Sequence, residues 1–159
     1  MACVKRSFAS GLLCLTSVIV FASLAPGDSW PTYRHDPARS AMTAEALPEQ
    51  PALLWVFQPR NPPEPAWPES DGHQNLGFDY GFFVTAAEGL AYFGSSADCR
   101  AYALDAASGK VRWSFLTGGP VRFAPTIWQG RAFVVSDDGW LYCLDAANGA
   151  LLWLSLIHI

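Results

Sequence analysis

Basic residues are few in this chain: 10 Lys or Arg stand against 14 Asp or Glu in 159 residues. Two of the ten, Lys5 and Arg6, precede an uncharged stretch from Ser7 to Pro26. A chain beginning after Ala25 therefore keeps 8 basic and 14 acidic residues, a net charge of −6. A nucleic-acid partner wants a basic face, so this balance argues against one. Cysteine is also scarce. Cys3 and Cys14 lie in the leading stretch, and the other two, Cys99 and Cys143, show neither the C-x-x-C-H spacing of haem attachment nor a metal-type spacing. Those two fall in different repeat units at non-equivalent positions, and Cys143 reads as a small buried strand residue.

The leading stretch has the three parts of a secretory signal peptide. Lys5 and Arg6 come first, then the apolar runs Leu12-Leu13-Cys14-Leu15 and Val18-Ile19-Val20-Phe21, then small residues around Ala22-Ser23-Leu24-Ala25. An uncleaved anchor needs ~20 apolar residues, and this run is borderline. A lipoprotein would need small residues before Cys14, where Leu12 and Leu13 stand. Residues 1–25 are read as a signal peptide, the protein as exported to the periplasm or beyond, and membrane contact as limited to this segment if it stays uncleaved.

The chain is organised around a repeat. Ala103-Leu104-Asp105-Ala106-Ala107-Ser108-Gly109-Lys110-Val111-Arg112-Trp113 returns as Cys143-Leu144-Asp145-Ala146-Ala147-Asn148-Gly149-Ala150-Leu151-Leu152-Trp153. Leu, Asp, Gly and Trp recur at one offset of 40, whereas the upstream Gly89 and Gly130 lie 41 apart, so the first copy carries one extra turn residue. A period of ~40–45 residues is that of a four-stranded propeller blade. Arg131 to Ser136 and Leu141 to Leu144 read as strands around the Asp137-Asp138-Gly139 turn, and Leu90 to Ser95 and Ala101 to Leu104 as their counterparts. Val111, Trp113 and Phe115 alternate with Lys110, Arg112 and Ser114, an outer strand with one wet face. The innermost strands are expected at Phe82 to Thr85 and Phe123 to Thr126.

The pattern Leu-Asp-Ala-x-x-Gly-x-x-x-Trp resembles the tryptophan-docking repeat of the pyrroloquinoline-quinone (PQQ)-like β-propeller family. That resemblance implies an all-β fold of four-stranded blades, with about two blades plus one orphan strand present and the ring incomplete. It also implies structural roles for Asp105, Gly109, Trp113, Asp145, Gly149, Trp153 and Trp55, each Trp packing on the turn of the neighbouring blade. Trp30-Pro31-Thr32-Tyr33-Arg34-His35-Asp36-Pro37-Ala38-Arg39-Ser40 looks like the opening of secreted members. His35 and Asp36, adjacent and next to a proline, read as a turn more readily than as a catalytic pair.

Leu53-Leu54-Trp55-Val56-Phe57 matches Leu151-Leu152-Trp153 and reads as the last strand of a blade whose other strands are missing upstream. Pro48 to Pro68 holds 7 of the 12 prolines, a density that forbids regular strands. The resulting division is 26–57 as leading segment and orphan strand, 58–81 as a Pro-rich insertion, 82–118 and 119–153 as two full blades, and 154–159 as a truncation or read-through scar. The last of these follows from Leu154 and Ser155 replacing Ser114 and Phe115. His158 in that tail carries no ligand reading, and Asp71-Gly72-His73 reads as a turn.

Ligands of propellers bind at the mouth of the central channel. The residues entering the innermost strands, Asp79, Tyr80, Arg122 and Phe123, are the candidate site, with Gly118-Gly119-Pro120 letting the chain approach the axis. Arg122 suits a carboxylate or phosphate. Asp137 and Asp138 fall short of the ~6–8 oxygens calcium takes. Quinoprotein dehydrogenases of the family hold PQQ above calcium beneath a ring of two adjacent cysteines. No Cys-Cys pair occurs here, so PQQ is a cofactor by resemblance only and no metal site is expected. The resemblance to the non-catalytic branch, propeller lipoproteins of the bacterial β-barrel assembly machinery, implies a binding or scaffolding module with protein partners in the cell envelope or an unknown small molecule. The alternative is an oxidoreductase with its catalytic blades further along. If Leu53 to Phe57 completes a blade, deleting residues 48–57 lowers the melting temperature markedly; an unchanged midpoint sinks that assignment.

Overall fold

A computed structural model describes residues 29–65 and 81–157. Residues 1–25, where the sequence suggests a signal peptide, and Asp71 to His73, Asp79, Tyr80 and His158 lie outside the described residues. Eight strands follow one another: β1 (Val84–Ala87), β2 (Leu90–Ser95), β3 (Arg100–Asp105), β4 (Val111–Leu116), β5 (Thr126–Trp128), β6 (Arg131–Val135), β7 (Trp140–Asp145) and β8 (Leu151–Leu156). They form two four-stranded antiparallel sheets, β1-β2-β3-β4 and β5-β6-β7-β8. The protein is all-β, built of propeller blades in an open ring.

The chain forms meanders because each pair of strands is joined by a turn its residues favour. Glu88-Gly89 and Gln129-Gly130 have φ of 52°, 76°, 48° and 70°, the doubly positive pair of a tight primed hairpin. At the last turn Asp145 Oδ1 accepts the N–H groups of Ala147 and Asn148 at 2.9 and 3.1 Å, and Gly149 closes it at φ 74°. In the first blade Asp105 Oδ1 accepts from Ser108 N and Oγ at 2.9 and 2.8 Å. The Ser108 hydroxyl and N–H hold the Asp105 carboxyl below its ordinary range.

Several strand positions differ from the sequence expectation, each for a physical reason. The innermost strands begin two to three residues later than Phe82 and Phe123. Pro125, without an N–H, cannot join a ladder and stands just ahead of β5. The clean alternation of the outer strand holds from Trp113 onward, but Val111 and Arg112 are both exposed. A bulge lies there: Ala103 pairs with Trp113 while Leu104 pairs with Val111, so Arg112 is extra. Leu152 is the extra residue at the same place in the second blade. β8 runs on to Leu156, which pairs with Trp140, so the periodicity break expected after Trp153 falls inside a strand. No strand is assigned at Leu53 to Phe57, although Trp55 and Phe57 are half-buried and Leu53, Leu54 and Val56 exposed.

The core lies between the sheets. Tyr92, Ala101, Ala103, Leu144 and Ala132 are fully or almost fully buried, with Val121 beneath β2. Gly94 is obligatory there, since a Cβ would meet Val121 Cγ1 at 2.4 Å and its carbonyl oxygen at 2.6 Å. Trp113 crosses from the first blade, donates its indole N–H to Ala146 O at 2.8 Å, and lies over Gly149, where a Cβ would come within 2.7 Å of the ring. Trp55 repeats this on the first blade, donating to Ala106 O at 2.9 Å and lying over Gly109. Cys99 and Cys143 are free thiols, Cys143 fully buried.

Cys99 sits at φ 56° where the second copy has Gly139 at φ 86°. A left-handed L-residue costs ~1–2 kcal/mol, partly offset by the extra chain entropy glycine loses on folding. Cys99→Gly should raise stability by about 0.5–1 kcal/mol and Gly139→Ala lower it by about 1 kcal/mol. Urea unfolding checks both; a loss on Cys99→Gly means that thiol packing outweighs backbone strain.

Candidate functional site

The segment from Ser29 to Ala41 lies across the inner edges of both blades. Trp30 exchanges two backbone hydrogen bonds with Ala86 of β1 at 2.6 and 2.9 Å, and Ile127 of β5 donates to Pro31 O at 2.7 Å. The hydroxyls of Thr32 and Thr126 lie 3.2 Å apart. Beyond this strap the chain turns sharply, with Arg34, His35, Arg39 and Ala41 all at φ between 55° and 79°. Ser40 fastens the turn by giving its N–H to Asp36 Oδ1 at 3.0 Å and its hydroxyl to Asp36 Oδ2. Those two bonds hold the Asp36 carboxyl below its ordinary range, and His35 packs its ring on Trp30 at 4.8 Å. His35 Nδ1 lies 3.6 Å from Asp36, so the pair braces a turn, as its proline neighbour implied.

Between this strap and the strand entrances lies a cleft of about 850 Å³. Its walls are Trp30, Tyr33, Arg34 and Arg39 on one side and Phe82, Phe83, Arg122 and Phe123 on the other. Of the four residues the sequence singled out, Arg122 and Phe123 line it together, and Asp79 and Tyr80 fall outside the described residues. Arg122 places its guanidinium 5.4 Å from the Phe123 ring centroid and pairs with Asp137 at 3.0 Å. Phe83 and Phe123 stand 6.5 Å apart and are 49% and 58% exposed, an aromatic rim open to a ligand.

Sequence reasoning missed the strap's contribution. Trp30, Tyr33, Arg34 and Arg39 belong to the opening segment, where the visible signal is two arginines five residues apart among aromatic residues. Gly118 and Gly119 also approach the Asp137-Asp138 turn closely. A Cβ on Gly119 would meet Asp138 N at 2.7 Å, and Gly118 donates to Asp138 Oδ2 at 2.8 Å. Asp138 Oδ2 also accepts the Tyr142 hydroxyl at 2.5 Å, and Oδ1 accepts Trp140 N at 3.0 Å. Burial pushes this carboxyl up, but the bonds from Tyr142, Trp140, Ser136 and Gly118 outweigh it and hold the group below 3.8. The equivalent Tyr102, desolvated and bonded to Asp98, is pushed up to about 12. Among the described residues no three His, Cys, Asp or Glu side chains gather to hold a metal.

Four-stranded antiparallel blades succeeding one another around an open ring, each pinned to the next by a tryptophan, define a β-propeller. The profile of the family described as outer membrane protein assembly factor BamB matches residues 47–156, more than half of the chain. The chain belongs to the PQQ-like β-propeller repeat family. Among solved structures it is similar to the quinohemoprotein alcohol dehydrogenase of Comamonas testosteroni, at 21% identity and a TM-score of 0.58 over 86% of this chain and 20% of that one. It is also similar to BamB from Moraxella catarrhalis, at 24% identity and a TM-score of 0.43 over 48% of this chain and 23% of that one. The chain thus spans about a fifth to a quarter of the structures it resembles. A comparison with curated proteins finds no match.

Because the Asp138 carboxyl is stabilised as the anion, its contribution is complete above 3.8 and is lost as pH falls through the lower folded value. Asp138→Asn should cost about 1–2 kcal/mol at pH 7, with the gap to the parent closing below about pH 4. Urea titrations at pH 7 and pH 3 measure this; a gap unchanged at pH 3 removes the anion from the account.

Proposed function

We propose that this chain belongs to an exported propeller that acts as a binding or scaffolding module in the cell envelope, its channel mouth serving as a recognition surface. The observation that carries the reading is the make-up of the cleft. Its polar walls include Arg34, Arg39, Arg122 and Tyr33, three guanidinium forks and a phenol. Such groups hold anions and orient partners. The exposed rim of Phe83 and Phe123 supplies the apolar half of a recognition surface. Family membership adds support, since the family profile is described by an outer-membrane assembly factor. Trp55 and Trp113, with Asp105, Gly109, Asp145 and Gly149, serve to lock blades side by side, and the repeat extends the same role to Trp153, whose ring is 42% exposed and meets Phe133 of its own blade.

The second reading, a quinoprotein-type oxidoreductase, is favoured by the dehydrogenase architecture that the two blades resemble, a likeness of fold alone. In the family that cofactor pairs PQQ with calcium, and since no three His, Cys, Asp or Glu side chains gather among the described residues, this reading puts the catalytic residues in blades further along. Protein produced from this sequence in a bacterial host should fractionate with the envelope and take up no PQQ with calcium. Saturable uptake with quinone-dependent dye reduction would overturn the recognition reading in favour of the enzyme.

A further inference from the structure

The two sheets have four edges, β1 and β5 on the inside and β4 and β8 on the outside, and they are guarded unequally. The strap meets both inner edges, through Trp30 on Ala86 and Pro31 on Ile127. The β4 edge carries charge: Lys110 and Arg112 are exposed, and Arg100 reaches across from β3 to Ser114 Oγ at 3.3 Å. Charge of this kind keeps foreign strands from adding to an edge. The β8 edge has none. Ala150, Leu152 and Leu154 stand where β4 has Lys110, Arg112 and Ser114, Trp140 replaces Arg100, and all six residues of β8 are exposed. Nor does a following blade account for this apolar row. Leu154 lies directly opposite Tyr142 and Leu156 opposite Trp140, and cross-strand partners share a face. The Tyr142 ring meets Phe115 of the first blade at 5.6 Å, so this face turns back toward the first blade. Leu154 and Leu156 remain exposed with that blade in place.

We propose that β8 is a docking edge for a second copy of this chain, the two β8 strands pairing antiparallel across a two-fold axis. The bulge at Leu152 confines the new ladder to the residues after it. An axis through Ser155 then sets Leu154 opposite Leu156 on one face and Trp153 opposite Ile157 on the other. The chain is uncharged from Ala150 to Ile157, so no like charges meet along the ladder. The area suffices. Leu151 to Leu154, Leu156 and Ile157 are each 42–50% exposed, a row matching the ~300–600 Å² of the largest patches on monomers, and two such rows approach the ~1,000 Å² of a specific interface. Backbone hydrogen bonds along the ladder add direction to the apolar contact. Each copy offers one unguarded edge, so an isologous pair consumes both and assembly stops at two.

Sedimentation velocity of the full chain over a range of concentrations tests this, and it should show a monomer–dimer equilibrium with nothing larger. Leu154→Lys should weaken the dimer at least about tenfold, because the two-fold axis places the new charge in the interface twice. Val111→Lys, at an equally exposed position of the guarded β4, should weaken it by less than about threefold. Amide hydrogen exchange on the parent protein gives a second readout that needs no variant to fold. Exchange in Leu151–Leu156 should slow as the protein is concentrated, while that in Val111–Leu116 stays unchanged. A chain that is monomeric throughout overturns the proposal, which is the result if another segment or another protein covers β8. So does a dimer that Leu154→Lys leaves intact, since association then runs through residues 1–25 or another surface. Open-ended oligomers, or concentration-dependent protection of β4 in place of β8, overturn it as well.

Discussion

One hydrogen bond organises the arrangement of the blades: the indole N–H of a tryptophan on one unit reaching a backbone carbonyl in the turn of the next. Trp113 reaches Ala146 O at 2.8 Å and Trp55 reaches Ala106 O at 2.9 Å. The bond requires the ring to lie flat over the turn, and that requires a residue there without a side chain. Gly109 and Gly149 meet two demands at once, a φ near 70° and the absence of a Cβ within 2.7 Å of the indole. Tyr92 adds its hydroxyl to the same Ala146 carbonyl at 3.2 Å, so one acceptor gathers two donors from the neighbouring blade. A single blade cannot bury its own face, so the lock between blades is where the stability of the array resides.

The blades were legible in the sequence because their contacts repeat. Asp, Gly and Trp at fixed spacing announce the turn and its lock, and the turn at Asp137-Asp138-Gly139 follows from glycine's conformational freedom. What the pattern misjudged is where the ladder breaks symmetry. Arg112 and Leu152 look like regular strand residues, and only the pairing of Leu104 with Val111, and of Leu144 with Leu151, exposes them as bulges. Nor does alternation tell where an inner strand begins; that depends on which N–H groups find a partner, and Pro125 has none to offer.

Half of the candidate site was illegible for a different reason. The strap is fastened by backbone groups, Trp30 to Ala86 and Pro31 to Ile127, and backbone bonds leave no residue signature. Its turns use left-handed conformations at Arg34, His35, Arg39 and Ala41, where no glycine marks them. Four such residues in eight positions store strain, which the Asp36–Ser40 bonds and the Trp30–His35 contact hold in place. The strap also caps inner strand edges that would otherwise present unpaired groups.

The two copies agree where blades touch and differ where the channel opens. Asp105 and Asp145, and Gly109 and Gly149, are the same residue in both, and each shapes a turn against which the neighbouring tryptophan packs. Arg122, by contrast, occupies the position that Gly81 holds in the first blade, and its partner Asp137 falls where the first copy's turn gains a residue. Blade-to-blade contacts demand the same answer from every unit, whereas a ligand in a central cleft meets each blade at a different part of its own surface. Chemistry at a propeller mouth therefore has to come from positions where the repeat departs from itself. Arg122 is one such departure, and the strap, which belongs to no repeat at all, supplies the other two cations.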